Sequence, residues 1–267
     1  MPDSSLSLRE LRDRWNEAGR ADPFWAVLSW GDKTSNRWTP EEFFQTGVEE
    51  IRGVMADVKA VDPSLATERA LDFGCGPGRL TQALATDFES VDGVDISPSM
   101  IELANRLNQH PDRCRYHLNV ADDLALFADS TFDFVYSNIT LQHVGQAHAK
   151  SYLREFFRVL KPVGVTVFQL PGRRTRMRSR IKALLPAAVL AAYHRARYRG
   201  HPAAVVEGIA RDHLIAYVTG LGGELLGVCP NQSAGAGWES FRYTFRKTRV
   251  TVPQATGSPD GASTDVS

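Results

Sequence analysis

Three glycines at alternate positions, Gly74, Gly76 and Gly78, end the apolar run Ala70-Leu71-Asp72-Phe73, and a helical pattern begins at once. This junction constrains the chain more than any other stretch. Glycine admits backbone angles closed to other residues, so a sharp strand-to-helix turn can form and a ligand can lie against bare backbone. About twenty residues further on, the run Val91-Asp92-Gly93-Val94 ends in Asp95, where a carboxylate can accept hydrogen bonds from a ribose diol. The spacing Gly-x-Gly-x-Gly departs from the Gly-x-Gly-x-x-Gly of dinucleotide sites, and the Lys-Ser or Lys-Thr of a nucleotide-hydrolysing loop is missing. Acids around such a loop suit a cationic ligand and repel a pyrophosphate.

Short apolar segments at 69–73, 91–95, 115–120, 132–138, 163–170, 223–229 and 239–247 read as strands. Helical patterns near 78–86, 98–109, 147–160 and 203–220 lie between them. Such alternation implies right-handed βαβ units and a mostly parallel sheet covered on both faces. The last two strands follow each other without a helix, which predicts a hairpin whose final strand runs antiparallel to its neighbours. Before the sheet, residues 1–62 read as a helical cap. Leu6, Leu8, Leu11 and Trp15 fall near one helical face, and Thr39-Pro40-Glu41-Glu42 is a helix start. The main domain is placed at 63–249, with a basic insertion at 172–201 and a disordered tail at 250–267.

Composition narrows the class further. The chain has 267 residues, 43% of them hydrophobic and 23% charged, and a formal net charge of zero. That balance exerts no global pull toward nucleic acid or membrane. No apolar run approaches the ~20 residues of a membrane span, and the polar N-terminus lacks a signal-peptide core. Cys75, Cys114 and Cys229 are odd in number and show no metal-like clustering, which points to a reducing, cytoplasmic setting and to no metal site. Cys75, between two loop glycines, reads as packing.

The loop and the acidic strand end together resemble those of class I S-adenosylmethionine-dependent methyltransferases. The resemblance covers residues 65–170 most strongly and the C-terminal hairpin more loosely. It implies a seven-stranded, mostly parallel doubly wound α/β sheet with an antiparallel closing strand, and S-adenosylmethionine as cofactor. Gly74, Gly76 and Gly78 would approach its methionine part, and Asp72 would steady the loop and the amino group. Asp95 matches the ribose-binding acid, Ile96 the apolar residue against adenine, and Met100 a second packing residue. Asn119-Val120-Ala121-Asp122-Asp123-Leu124 matches the segment that places an acid by the adenine amino group, with Asp122 and Asp123 both candidates. Asn138, at the end of the fourth strand, would line the methyl-transfer site. N-terminal helices in this family often fold over the cofactor, and the cap carries Trp15, Phe24, Trp25, Trp30, Trp38, Phe43 and Phe44.

A sulfonium methyl is already activated, so the protein's task is chiefly to hold an acceptor in line with it. His143, just after the fourth strand, is the candidate catalytic residue, as base or acceptor-orienting group. The fourth strand lacks the Asn/Asp-Pro-Pro-Tyr/Phe pattern of nucleic-acid adenine methyltransferases, which argues against nucleic acid. The segment from Arg173 to Arg199 is rich in arginine around an apolar centre and has no acidic residue. It is expected to form an acceptor lid, with contact to an anionic membrane surface or a phosphate-bearing substrate as an alternative to a solvated cover. The favoured reading is methyl transfer to a small-molecule or saccharide-type acceptor at oxygen. Modification of RNA or protein, or a non-catalytic cofactor-binding regulatory role, stand as rivals.

Overall fold

The computed structural model describes residues 6–175, 206–235 and 237–249. Seven strands form one sheet: β1 (Arg69–Phe73), β2 (Ser90–Asp95), β3 (Cys114–Leu118), β4 (Phe132–Ser137), β5 (Leu160–Arg174), β6 (Gly223–Asn231) and β7 (Trp238–Lys247). Their order is β3-β2-β1-β4-β5-β7-β6. Strands β1 to β5 pair in parallel, and β7 lies antiparallel between β5 and β6. This is the doubly wound α/β sheet, closed by an antiparallel strand, that the sequence pattern predicts. Every residue of β4 is buried, as expected for a strand covered on both faces. Strand order reverses between β1 and β4, and ligands of open α/β sheets bind at such a point, beyond the carboxyl ends of the strands.

Helices α1 (Leu8–Ala21), α2 (Pro23–Val27) and α3 (Pro40–Val61) precede the sheet. Sequence chemistry starts two of them. Ser7 caps α1 and Thr39 caps α3, each in a reciprocal pair with a glutamate three residues on, Glu10 and Glu42. Helix α3 buries Phe43, Gly47, Ile51, Val54, Met55 and Val58 along one stripe. It packs closely on α4 (Arg79–Leu84): a side chain at Gly47 would lie 2.5 Å from the Arg79 carbonyl. Helices α5 (Pro98–Arg106), α6 (Gln146–Val159) and α7 (Arg211–Gly220) complete the layers. No helix among the described residues is long and apolar enough to cross a membrane.

Several expected boundaries differ, three of them by more than the fraying of an element's end. β5 starts at Leu160 and runs to Arg174, so Gly172, Arg173 and Arg174 belong to the sheet and not to an insertion. Residues 206–210 are not helical; Gly208 lies so close to β5 that a Cβ would sit 2.5 Å from the Pro171 carbonyl, and Ile209 donates its N–H to that same oxygen. The helix begins only at Arg211. The third strand ends at Leu118, because Asn119 already turns the chain by accepting from the Ala121 N–H. The rest of the basic segment, from Arg176 to Arg199, and the tail from 250 lie outside the described residues.

Candidate functional site

A cleft of about 800 Å³, counting the space at its mouth, opens at the carboxyl ends of β1, β2 and β4. Its floor is Phe73, Gly74, Gly76 and Val94. One side is Asp95, Ile96, Met100, Asn119 and Tyr152. The cap contributes Leu11 and Trp15 from α1 and Ala26 and Val27 from α2, and the segment after β4 contributes Asn138, Ile139, Thr140 and Val144. Mostly apolar walls with a few convergent polar groups are the usual form of a small-molecule site.

The glycine loop is shaped by close approach as much as by its angles. Gly74 has φ +77°, and a Cβ there would fall 2.1 Å from the Thr140 hydroxyl. Gly78 has φ +89°; it caps α4, and a Cβ would fall 2.4 Å from the Tyr116 hydroxyl. Both positions therefore exclude L side chains on two counts. Gly76 donates its N–H to one Asp95 oxygen at 2.9 Å, and Ser97 donates to the other at 2.8 Å. These two bonds fix the carboxylate at the cleft wall and leave lone pairs for a ligand's hydroxyls. Burial raises the Asp95 carboxyl above its ordinary range, against the opposing backbone N–H donors.

Asp72 lies behind the wall, fully buried in β1. Thr81 donates to its Oδ2 at 2.7 Å, and its Oδ1 has no hydrogen-bond partner among the described residues. Burial pushes this carboxyl up to about 7, although the Thr81 bond and the Arg79 charge pull the other way. The Asn138 Oδ1 is likewise buried and unpartnered, because its amide nitrogen donates to Glu50 at 2.6 Å. Glu50, on α3, also accepts from the Tyr136 hydroxyl and from Arg79, which is 2% exposed. Two orphaned acceptors beside a bare glycine loop fit a group that brings positive charge and N–H donors. Burial pushes the Cys75 thiol well above its ordinary value, which suits packing and not nucleophilic attack.

The structure brings Gly74, Gly76, Asp95, Ile96, Met100 and Asn138 together on the cleft wall. Asp72 and Gly78 support the loop from behind. Asp122 and Asp123 do not line the cleft: both are exposed on a turn closed by Asn119, whose amide donates to the Asp123 carbonyl at 2.7 Å. Asn119 is the wall residue of that segment. Leu124 is a core residue, fully buried, with its N–H held by Glu155. His143, on a short 3-10 turn, stands beside the wall and not in it, its ring packed 5.4 Å from that of Trp15. Of the cap aromatics, Trp15 reaches the cleft, whereas Trp25, Trp38 and Phe43 form a separate cluster with Phe24 and Phe44 packed on it. Among the described residues, no group of three or more His, Cys, Asp or Glu is arranged to hold a metal ion.

Residues 71–168 match the model of the methyltransferase domain. The chain is 29% identical over 147 residues to trans-aconitate 2-methyltransferase of Delftia acidovorans, covering 54% of this chain and 53% of that one. It is 30% identical over 132 residues to ubiquinone biosynthesis O-methyltransferase of Xanthomonas oryzae pv. oryzae, covering 49% and 54%. It thus spans about half the length of the curated relatives it matches. Magnesium protoporphyrin IX methyltransferase from Synechocystis, solved with bound S-adenosylhomocysteine, shares the fold with a TM-score of 0.62 at 16% identity, over 90% of this chain and 99% of that one.

Proposed function

We propose that the chain, whose residues 71–168 match the methyltransferase-domain model, is a class I enzyme that transfers a methyl group from S-adenosylmethionine to a small-molecule or saccharide-type acceptor, at oxygen. The carrying observation is the meeting of bare glycine backbone, a fixed Asp95 carboxylate and two buried, unpartnered acceptor oxygens at one strand-order reversal. When bound, the cofactor supplies a methyl carbon activated by its sulfonium. The chain's residues would bind and align. Asp95 accepts from the ribose hydroxyls, and Ile96, Met100 and Tyr152 flank the adenine. Asn138 offers an acceptor to the ammonium end, Asp72 acts on it through its charge from behind the loop, and the Trp15 face favours the sulfonium. The acceptor enters between Trp15, Thr140 and Val144, where His143 is the nearest ionisable group of the segment after β4. The chain would hold the acceptor oxygen in line with the methyl carbon that the cofactor supplies, and the hydroxyl proton would pass to water at the cleft mouth. The O-methyltransferase among the relatives supports oxygen as the acceptor atom. Three free cysteines, two of them buried, support the cytoplasm as the compartment.

Calorimetry tests the binding half of this reading. S-adenosylmethionine or S-adenosylhomocysteine is expected to bind in the micromolar range, about −8 kcal/mol. Absence of binding, or a preference for NAD, overturns it. Incubating cell extract with labelled cofactor, then identifying the labelled product by mass spectrometry, tests transfer and names the acceptor; a protein that binds but labels nothing is a binding protein only.

A further inference from the structure

The part of the cleft left for an acceptor has apolar walls. Leu11, Trp15 and Val27 bring them from the cap, and Ile139 and Val144 from the segment after β4. These walls close directly on the glycine loop: a Cβ at Gly76 would lie 3.1 Å from the Val27 Cγ2. Thr140 adds a hydroxyl to them, seated on the same loop over Gly74. That hydroxyl has one hydrogen, and it is given to the Asn138 carbonyl at 3.2 Å. What Thr140 has left to offer a ligand is lone pairs, so it accepts and does not donate. The loop that carries it is held from behind. Ile139 has φ +62°, in the left-handed region that a β-branched side chain avoids, and such strain persists where neighbours over-determine it. Its N–H is taken by the Gln169 Oε1 of β5 at 3.2 Å. The Gln169 nitrogen is tied in turn to Ser240 of β7 at 2.7 Å and to the Gln142 Oε1 at 3.1 Å. Both glutamines are buried, so water does not compete for these bonds.

We propose that the acceptor is a flat, largely apolar ring bearing a hydroxyl, and that this hydroxyl donates to the Thr140 Oγ1 while the ring lies against Trp15. The inference rests on the methyl-transfer reading above and narrows its acceptor. Apolar walls favour a ring because they remove its surface from water, and an indole face adds offset stacking. A saccharide carries hydroxyls all round, and each one set against these walls loses its water without gaining a partner. A carboxylate or phosphate at the same point meets the lone pairs of Thr140 and is turned away. A hydroxyl fits, because it spends its hydrogen on Thr140 and keeps its own lone pairs for the methyl carbon. Thr140 is thus the residue that selects a hydrogen-bond donor at the reacting position.

The test is binding of 1-naphthol to the full chain saturated with S-adenosylhomocysteine, read by ligand-observed NMR titration. Two further probes accompany it: 1-fluoronaphthalene, of the same shape without a hydroxyl hydrogen, and methyl β-glucoside as a saccharide. The wild type is expected to bind 1-naphthol about tenfold more tightly than 1-fluoronaphthalene and not to bind methyl β-glucoside. Thr140→Val keeps the shape and removes the oxygen; it is expected to abolish that preference and to leave S-adenosylhomocysteine affinity unchanged. Thr140→Ser is expected to retain the preference. Trp15→Leu is expected to weaken both naphthalenes alike, about fivefold. A folded Thr140→Val protein that keeps the preference, or that loses S-adenosylhomocysteine affinity as well, overturns the proposal. So does a wild type that ignores 1-naphthol, binds both naphthalenes equally or binds methyl β-glucoside, whether or not any variant folds. Failure of S-adenosylhomocysteine itself to bind falls on the methyl-transfer reading and takes this inference with it.

Discussion

Asp72 and Asp95 stand close to one glycine loop, yet they are held differently and should fail differently when changed. Asp95 touches the ligand space directly. Asp95→Ala is expected to weaken S-adenosylhomocysteine binding by roughly 1.5–3 kcal/mol, about tenfold to a hundredfold, through loss of hydrogen bonds to a charged acceptor; titration calorimetry reads it. Asp72 acts through its charge. Its folded carboxyl titrates near 7, well above the ~3.9 of an unfolded aspartate. The contribution of that group to stability is therefore full below about pH 4 and is lost as pH rises through 7. Asp72→Asn keeps the shape and removes the loss, so relative to wild type it is expected to gain on the order of 3 kcal/mol between pH 4 and pH 8 in denaturant melts. A cationic ligand reverses the preference. Cofactor binding at pH 6 should accordingly release a proton from the wild type and not from the variant, measurable by calorimetry in buffers of different ionisation enthalpy. For His143, replacement by Ala is expected to lower kcat roughly 10²-fold with cofactor affinity nearly unchanged, the pattern of a lost transition-state contact. Near-normal turnover would return it to a packing role.

Helix α3 is the element that ties the cap to the site, and Glu50 is its point of attachment. That carboxylate pairs with Arg79 at 2.9 Å and orients Asn138. Removing it strands a buried guanidinium, so Glu50→Ala is expected to destabilise by on the order of 3 kcal/mol and to weaken cofactor binding as well. Thr39→Ala, at the start of the same helix and outside the cleft lining, should cost about 1 kcal/mol and leave binding intact. Elements of this kind were legible in the sequence where the signal is local. Capping residues, the glycine loop, the apolar strands and Asp95 all announce themselves within a few positions. The cleft wall is not local. Trp15, Val27, Thr140 and Tyr152 come from four separate segments, and no spacing reveals that they converge. The acids of the Asn119–Leu124 segment carry a weaker signal: an exposed turn is rich in carboxylates whether or not a ligand is near, and the residue of that segment that lines the cleft is an uncharged asparagine. Gln142 and Gln169 gave no signal, since an amide's role depends on which way it points.

At the scale of the molecule, charge and connectivity matter more than any single contact. The chain is neutral as a whole, so the unbalanced arginines from Arg173 to Arg199 concentrate positive potential in one segment. Contact of that segment with an anionic surface, which we propose on charge alone, would gain about 1 kcal/mol per basic group and decay over a Debye length of about 8 Å at physiological salt. Sedimentation with liposomes is expected to show binding to anionic and not to neutral lipid, weakened by salt and by changing Arg173, Arg174, Arg176 and Arg178 to Gln; binding that ignores all three removes the idea. Connectivity has its own consequence. Strand β7 lies between β5 and β6, supplies Ser240 to the buried amides, and reaches α3 through Arg242 to Asp57 and Arg246 to Asp62. On the ribosome, everything up to residue 237 therefore emerges while β5 still shows a bare edge and β6 has no strand beside it. The newborn chain is most exposed to sticking to its neighbours during that interval, and the last ten residues of the sheet end it at a stroke.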